Sequence, residues 1–204
     1  MSLMLYGVIM NDGQARPKLP EGVKHFAVRE LAAVTEEGDF NVHRSEPVDV
    51  GRHMEIVTGI FTQDAILPAP VGTVFRTADA LKAWMDLHYV ALSDALAWVE
   101  DRVAARVHIT RAHGKEADKE AGSDLAAIAA DTSRALRRRA VSTVPLRSEE
   151  VTGIVLSAAY LVERELWSDF LAAVKDERDR YKQLHIELTG PWPPHDFVRM
   201  QFGA

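Results

Sequence analysis

The chain has 204 residues, of which 47% are hydrophobic and 26% are charged, and its formal net charge is −6. It is too apolar to be wholly disordered, and its acidic balance argues against general nucleic-acid binding, which requires a cationic surface. The absence of cysteine excludes disulfides, thiolate metal sites and a cysteine nucleophile. Residues 1–100 carry 8 basic and 14 acidic side chains, whereas residues 101–204 carry 16 of each. This asymmetry is consistent with two domains, which we place at residues 1–100 and 101–204.

The first half predicts a small mixed α/β sheet domain. Its apolar runs indicate strands at residues 3–10, 26–28 and 31–35, followed by an acidic irregular segment. Asp49 is a suitable cap for a helix over residues 50–65, which ends before Pro68 and Pro70. A short β-prone run then covers residues 71–75.

A single long helix is predicted next, capped by Thr77 or Asp79. Its apolar residues recur every three or four positions and form one stripe over about five turns. We therefore expect Trp84 and Trp98, which both lie on this stripe, to be core residues. The domain boundary is predicted near residues 98–102. The members of the stripe are Leu81, Trp84, Leu87, Ala91, Ala95 and Trp98.

The second half predicts a βαββαβ order, which is the ferredoxin-like arrangement. The predicted elements are a strand at 103–109, a helix from Ser123 to Arg138, strands at 140–146 and 152–162, a helix at 165–180 and a strand at 184–188. Pro145 favours an edge position for the second strand, because proline cannot donate to a sheet ladder. The third strand is apolar throughout and is expected at the centre of the sheet, covered on both faces. On the second helix of this half, Leu166, Phe170 and Val174 are predicted to face the core.

No catalytic or cofactor-binding pattern stands out in the chain. Its eight histidines form neither His-x-His nor His-Glu-x-x-His, and no glycine-rich phosphate loop or Gly-x-Ser-x-Gly is present. We therefore expect no metal, no cofactor and no enzyme activity. The three arginines at 137–139 are interpreted as favourable charge at a helix C-terminus rather than as an anion site. The N-terminus lacks a signal-peptide pattern and no apolar run is long enough to cross a bilayer, so we expect a cytoplasmic protein without a membrane partner.

The end of the chain holds its most distinctive segment, in which Gly190, Pro191, Trp192, Pro193 and Pro194 are followed by Phe197. Gly190 permits a sharp change of direction, and the prolines stiffen the backbone and remove three donors. We predict that the segment leaves the last strand as a structural strap. The alternative is an exposed recognition element.

This segment resembles the closing signature of the GvpL/GvpF family of gas vesicle proteins. Residues 3–9 are similar to the family's opening strand, residues 158–162 to a late strand, and His53 with residues 66–75 to a His…Leu-Pro block. In this chain Pro70-Val71 replaces the family's Arg-Phe, and His195 stands where tyrosine is usual.

The resemblance implies an accessory protein of gas vesicle formation, located in the cytoplasm or in the vesicle itself. Such a protein would bind the hydrophobic major shell protein and other gas vesicle accessory proteins, and could become a minor vesicle component. The alternatives from the fold alone are a small-ligand-binding protein, a dimeric α+β barrel enzyme, or a regulatory module that dimerises through its open sheet face.

Overall fold

The computed structural model describes residues 1–11, 13, 16–39, 47–112, 122–147 and 153–198. The chain packs into two compact units. One comprises Met1–Glu100 together with Pro193–Ala204, and the other comprises Asp101–Trp192. The predicted second domain ran to the end of the chain, whereas the packing groups the final segment with the first unit. The physical reason is visible at Val198, which packs against the hydrophobic core of the first unit.

The first unit is built on a five-stranded sheet in the order β2-β3-β1-β4, with β5 also paired to β1. All of these pairings are antiparallel. A bulge in β1 between Leu5 and Gly7 shifts its register against β3. The strands are β1 (Ser2–Met10), β2 (Val23–Val28), β3 (Leu31–Gly38), β4 (Leu67–Pro68) and β5 (Val74–Phe75).

Three helices cover this sheet: α1 (Pro47–Phe61), α2 (Ala78–Leu87) and α3 (Tyr89–Val99). Tyr6 of β1 meets the ring of His53 on α1, whereas its neighbour Leu5 belongs to the core that α2 and α3 share with the sheet. Because successive strand residues point to opposite faces, α1 lies on one face of the sheet and α2 with α3 on the other. This explains why every residue of β1 from Leu5 to Ile9 is buried.

The predicted long helix is wrong, because the chain forms two helices that meet at His88. Thr77 caps α2 as expected, with its hydroxyl accepting from the Ala80 amide at 3.1 Å. At the junction, the imidazole Nδ1 of His88 donates to the Trp84 carbonyl at 2.8 Å, so a side chain competes for an acceptor of the helical ladder. The backbone of His88 departs from helical values, at φ −101° and ψ 11°.

The break changes which side chains reach the core. Trp84 is buried as predicted, but Leu87 is 81% exposed and Trp98 is 43% exposed. The predicted apolar stripe assumed one straight helix, on which Trp84, Leu87 and Trp98 lie on the same face. Since α2 and α3 are separate helices, the second has its own buried face, formed by Leu92, Leu96 and Val99.

The second unit has the predicted ferredoxin-like fold. Its four-stranded antiparallel sheet has the order β7-β8-β6-β9, so the first and third strands of the unit are central. Pro145 lies on the edge strand β7 as predicted, and β8 is buried on both faces from Ala158 to Val162. The elements are β6 (Arg102–Arg111), α4 (Gly122–Arg137), β7 (Ser142–Pro145), β8 (Ile154–Glu163), a 3₁₀ turn (Arg164–Leu166), α5 (Trp167–Arg180) and β9 (Leu184–Trp192).

The core of this unit forms where α4 and α5 meet β8. The ring of Tyr160 lies 5.5 Å from that of Phe170, and its hydroxyl is 2.9 Å from the hydroxyl of Ser133 on α4. Phe170 and Val174 are buried as predicted, but Leu166 is 45% exposed. Leu166 belongs to the 3₁₀ turn before α5, so the periodicity of the helix does not extend to it. The charged residues at 113–122 predict a loop between β6 and α4, and this segment lies outside the described residues up to position 121.

Candidate functional site

The proline-rich tail does not leave the sheet where we predicted. Strand β9 continues through Gly190 and Pro191 to Trp192, which pairs with Ala104 of β6 after a register shift. The prediction that the strand ends near Leu188 is therefore wrong. Proline is tolerated here because β9 is an edge strand, where a missing donor need not break a ladder. The Gly190–Pro191 peptide bond is cis.

The residues of the tail are divided between the two units. Gly190, Pro191 and Trp192 end the sheet of the second unit, whereas Pro193, Pro194 and Phe197 belong to the first. The buried members of the segment are Pro193 and Pro194, and Phe197 is half-buried. Trp192 is 38% exposed, and its indole Nε1 donates to the Thr189 hydroxyl at 3.1 Å. The sequence could not indicate this division, because burial of the prolines depends on where the chain runs after the strand.

A polar cluster connects α1 to the sheet of the first unit. The guanidinium of Arg52 binds Glu36 of β3 through both carboxylate oxygens, at 2.7 and 3.1 Å. The hydroxyl of Tyr6 donates to the same carboxylate at 2.5 Å, and Arg52 also donates to the Glu21 carbonyl at 3.1 Å. Burial by itself would raise the pKa of Glu36, but the hydrogen bonds from Arg52 and Tyr6 lower it. The same surroundings raise the pKa of Tyr6, chiefly through burial and then through the nearby carboxylate.

His53 follows Arg52 on α1 and is almost fully buried, with 1% of its surface exposed. Its ring centroid lies 5.3 Å from that of Tyr6. The pKa of His53 is lowered to about 4, chiefly by burial; the Ala69 backbone opposes this shift and the charge of His195 adds to it. His53 is therefore a neutral core residue that connects α1 to β1. The resemblance had singled out His53, and the structure gives it a packing role.

The first unit should lose stability in mild acid because of His53. The pKa of His53 falls from 6.5 to about 4 on folding. Between these two pH values the imidazole is protonated in the unfolded chain and neutral in the folded chain. The free energy of unfolding then decreases as the pH falls through this window, by at most about 3 kcal/mol. Urea unfolding of wild type and His53→Phe at several pH values measures this slope. The free energy of unfolding of the variant should change less with pH in this range than that of wild type. Equal slopes for the two proteins would contradict the conclusion that His53 is neutral in the folded chain.

An exposed apolar face runs along α3, although the predicted stripe placed Trp98 of this helix in the core. Apart from Tyr89, Ser93 and Asp94 the residues of α3 are apolar, although just one side of the helix is buried. Val90 is 69% exposed, and Trp98 and the preceding Leu87 also face solvent. The sequence did contain an indication of this face. A helix with apolar residues on every side is expected to be covered on every side, so the side that the core leaves open should contact a partner. We define the α3 apolar face as Val90, Ala91, Ala97 and Trp98, together with Asp94.

Surface clefts lie beside α4 and α5. One of them, of about 560 Å³, is lined by Arg134, Arg138 and Arg180 together with Asp131. Arg134 pairs with Asp131, and Arg180 lies 3.8 Å from Glu177. These pairs offset the charge of Arg134 and Arg180, and neither pair includes an arginine of the cluster at 137–139. Within the described ranges, no group of three or more histidine and acidic side chains could hold a metal ion.

Comparison with known proteins gives consistent results over the whole chain. A family model described as gas vesicle synthesis protein GvpL/GvpF matches residues 2–119 and 108–199. Gas vesicle protein F of Haloferax mediterranei is 29% identical over 216 residues, which cover 100% of this chain and 96% of that protein. Gas vesicle protein F2 of Halobacterium salinarum is 26% identical over 212 residues, covering 99% and 94% of the two chains.

Two solved structures share this fold. The crystal structure of GvpF from Anabaena sp. PCC7120 superposes with a TM-score of 0.80 at 14% identity, covering 100% of this chain and 98% of that one. GvpF from Microcystis aeruginosa gives a TM-score of 0.75, also at 14% identity, with 98% and 99% covered. Among the helices of the described residues, none is long and apolar enough to cross a bilayer.

Proposed function

The chain belongs to the gas vesicle synthesis protein GvpL/GvpF family, and from that premise we propose that it binds the hydrophobic major shell protein and assists its nucleation and assembly. The role is that of an accessory protein that performs no chemistry. A shell subunit with large apolar surfaces aggregates unless a partner covers those surfaces until assembly. The protein would act in the cytoplasm, and it could remain as a minor component of the vesicle.

The observation that supports this proposal is the α3 apolar face. Val90 is 69% exposed, and Trp98, which is 43% exposed, extends the face toward the end of the helix. Large apolar side chains that cluster on a soluble surface commonly mark a protein–protein contact. Binding an apolar subunit requires such a surface and requires no cofactor. We also propose contacts with other gas vesicle accessory proteins, none with nucleic acid and none with membranes.

The tail has a separate, structural role in this proposal. Gly190, Pro191 and Trp192 end the edge strand of one unit, and the buried Pro193 and Pro194 lead into the other. Buried prolines lose little conformational entropy on folding, so they suit a strap better than a recognition element. Phe197, which is half-buried, completes this segment.

The purified chain should keep the shell subunit soluble. We expect an equimolar amount of the chain to retain the subunit in the supernatant after dilution from denaturant, and to co-elute with it in size-exclusion chromatography. In cells, deletion of the gene should abolish flotation, and expression of the wild-type chain should restore it. Normal flotation of the deletion strain, or sedimentation of the subunit at the same rate with and without the chain, would contradict the proposal.

A ligand-binding or enzymatic role is the alternative. It would require a deep pocket in which several polar groups converge. The clefts beside α4 and α5 instead lie at the helix surface and carry arginines that are partly paired with acidic neighbours. Calorimetric titration with small anions would support the alternative if binding were saturable and depended on Arg138.

A further inference from the structure

Helix α3 is unusual because it is apolar on the side that faces solvent as well as on the side that faces the core. Leu92, Leu96 and Val99 are buried against the sheet. The outer side carries residues that follow one another at spacings of one or three and share one face of the helix: Val90, Ala91, Asp94, Ala97 and Trp98. All five are exposed. Surface helices normally place charged and polar residues at such positions, so this face has the composition of an interface.

The face also has a defined shape. The positions from Val90 to Trp98 extend about 12 Å along the helix, which is the length of two turns. Val90 and Trp98 stand at the ends, and Ala91, Asp94 and Ala97 lie between them. The small side chains of Ala91 and Ala97 let a second helix approach closely, as ridge-into-groove packing requires. We therefore favour an amphipathic helix over an extended strand as the occupant.

One charge, that of Asp94, lies within this apolar face. Asp94 forms no ion pair with any residue in the described part of the chain. Asp86, by contrast, already pairs with Lys82 at 2.6 Å and with Arg29 at 3.1 Å. A partner that covers Asp94 would leave a buried, unpaired carboxylate unless it supplied a cation. The partner must therefore carry a basic side chain beside its apolar stripe.

The charge also disfavours a second copy of this chain as the occupant. In a symmetric dimer formed through this face, Asp94 would lie near its own equivalent, because both subunits present the same patch. From Thr77 to Glu100 the acidic residues outnumber the basic ones by four to one, so the repulsion would extend beyond a single pair. Self-association is the less favourable arrangement.

We propose that the α3 apolar face is the docking site for an amphipathic helix whose apolar stripe is bordered by lysine or arginine, with a basic side chain opposite Asp94. This inference rests on the proposed function, since the natural source of the helix is a segment of the shell subunit. The recognition itself depends only on the chemistry of the face. Val90 and Trp98 supply apolar contact, and Asp94 favours a bound helix whose apolar stripe is bordered by positive charge.

Two synthetic helical peptides test the proposal without the shell subunit. Both carry the same leucine stripe, and one has lysine flanks where the other has glutamate. Isothermal titration into the full-length chain should give at least tenfold tighter binding for the lysine peptide. Asp94→Lys should reverse this preference, and Val90→Ser should weaken binding of the lysine peptide about tenfold. Leu171→Ser is the control, because Leu171 is an exposed apolar residue on α5, away from this face, and its replacement should change neither affinity.

Equal affinities for the two peptides, or an unchanged preference in Asp94→Lys, would overturn the proposal. So would a dimer in sedimentation equilibrium that Val90→Ser dissociates, because the face would then belong to a second copy. If the shell subunit binds wild type and Val90→Ser equally, the docking site is refuted while the proposed function stands. If the subunit does not bind wild type at all, the proposed function fails, whatever the peptides do.

Discussion

Replacing Gly190 by alanine should destabilise the second unit by roughly 4 kcal/mol. Gly190 has φ +133°, a conformation that residues with a Cβ rarely adopt. An added Cβ would lie 2.8 Å from the Ala104 carbonyl oxygen and 3.2 Å from Cη2 of Trp167. The carbonyl belongs to central strand β6, so it cannot move without disturbing the sheet. Backbone strain and overlap therefore act together at this position.

Gly153→Ala separates these two effects. Gly153 also lies in the second unit and has φ +95°, but an added Cβ would have no heavy atom within 4 Å. This variant should lose only about 1 to 2 kcal/mol, from the backbone conformation alone. Urea unfolding gives the free energies, and amide hydrogen exchange shows whether the loss is confined to the strands β6, β8 and β9. If both alanine variants were equally stable, close packing around Gly190 would not be the reason for glycine at this position.

A second large loss of stability is expected from Gly7→Ala in the first unit. Gly7 follows the bulge in β1, where the strand is paired with both β3 and β4. An added Cβ would lie 2.6 Å from the Leu67 carbonyl oxygen and 2.7 Å from Cδ1 of Ile66. Both neighbours are fully buried, so neither can move into solvent. Overlap with a backbone oxygen in a closed core should cost about 3 kcal/mol or more.

Gly59→Ala is the matched control for this prediction. Gly59 lies within α1, and an added Cβ there would meet no heavy atom within 4 Å. Alanine is favoured over glycine inside a helix, so this variant should stabilise the first unit by about 0.5 to 1 kcal/mol. Thermal or urea unfolding of the two variants should thus give opposite signs. A Gly7→Ala protein as stable as wild type would mean that β4 can shift away from β1 at little cost.

The second unit was predicted more completely than the first because its local patterns are unambiguous. The alternation around Val107 and the continuous apolar run from Ala158 to Val162 each allow one interpretation, and the βαββαβ order leaves few topologies. In the first unit, strands β4 and β5 have only two residues each, too few for any periodicity. They form because β1 offers unpaired backbone groups, which is a property of the folded sheet.

The candidate site was predicted only in part. The tail was recognised from its residues, but its path was not, because Pro191 is compatible with a strand only once β9 is known to lie at a sheet edge. The α3 apolar face was hidden by an assumption of one straight helix. On one straight helix, Leu87 and Trp98 would share the buried face of Trp84, and they were therefore assigned to the core.

The sequence by itself determined the ferredoxin-like order of the second unit, the absence of disulfide chemistry and the family resemblance, since each is written in residue type and spacing. Only the tertiary structure decided which apolar residues stay in solvent. Exposure depends on where a helix axis points after a break such as His88, and on whether Trp192 ends an edge strand or a core strand. These directions follow from contacts between residues far apart in the chain, which local periodicity does not encode.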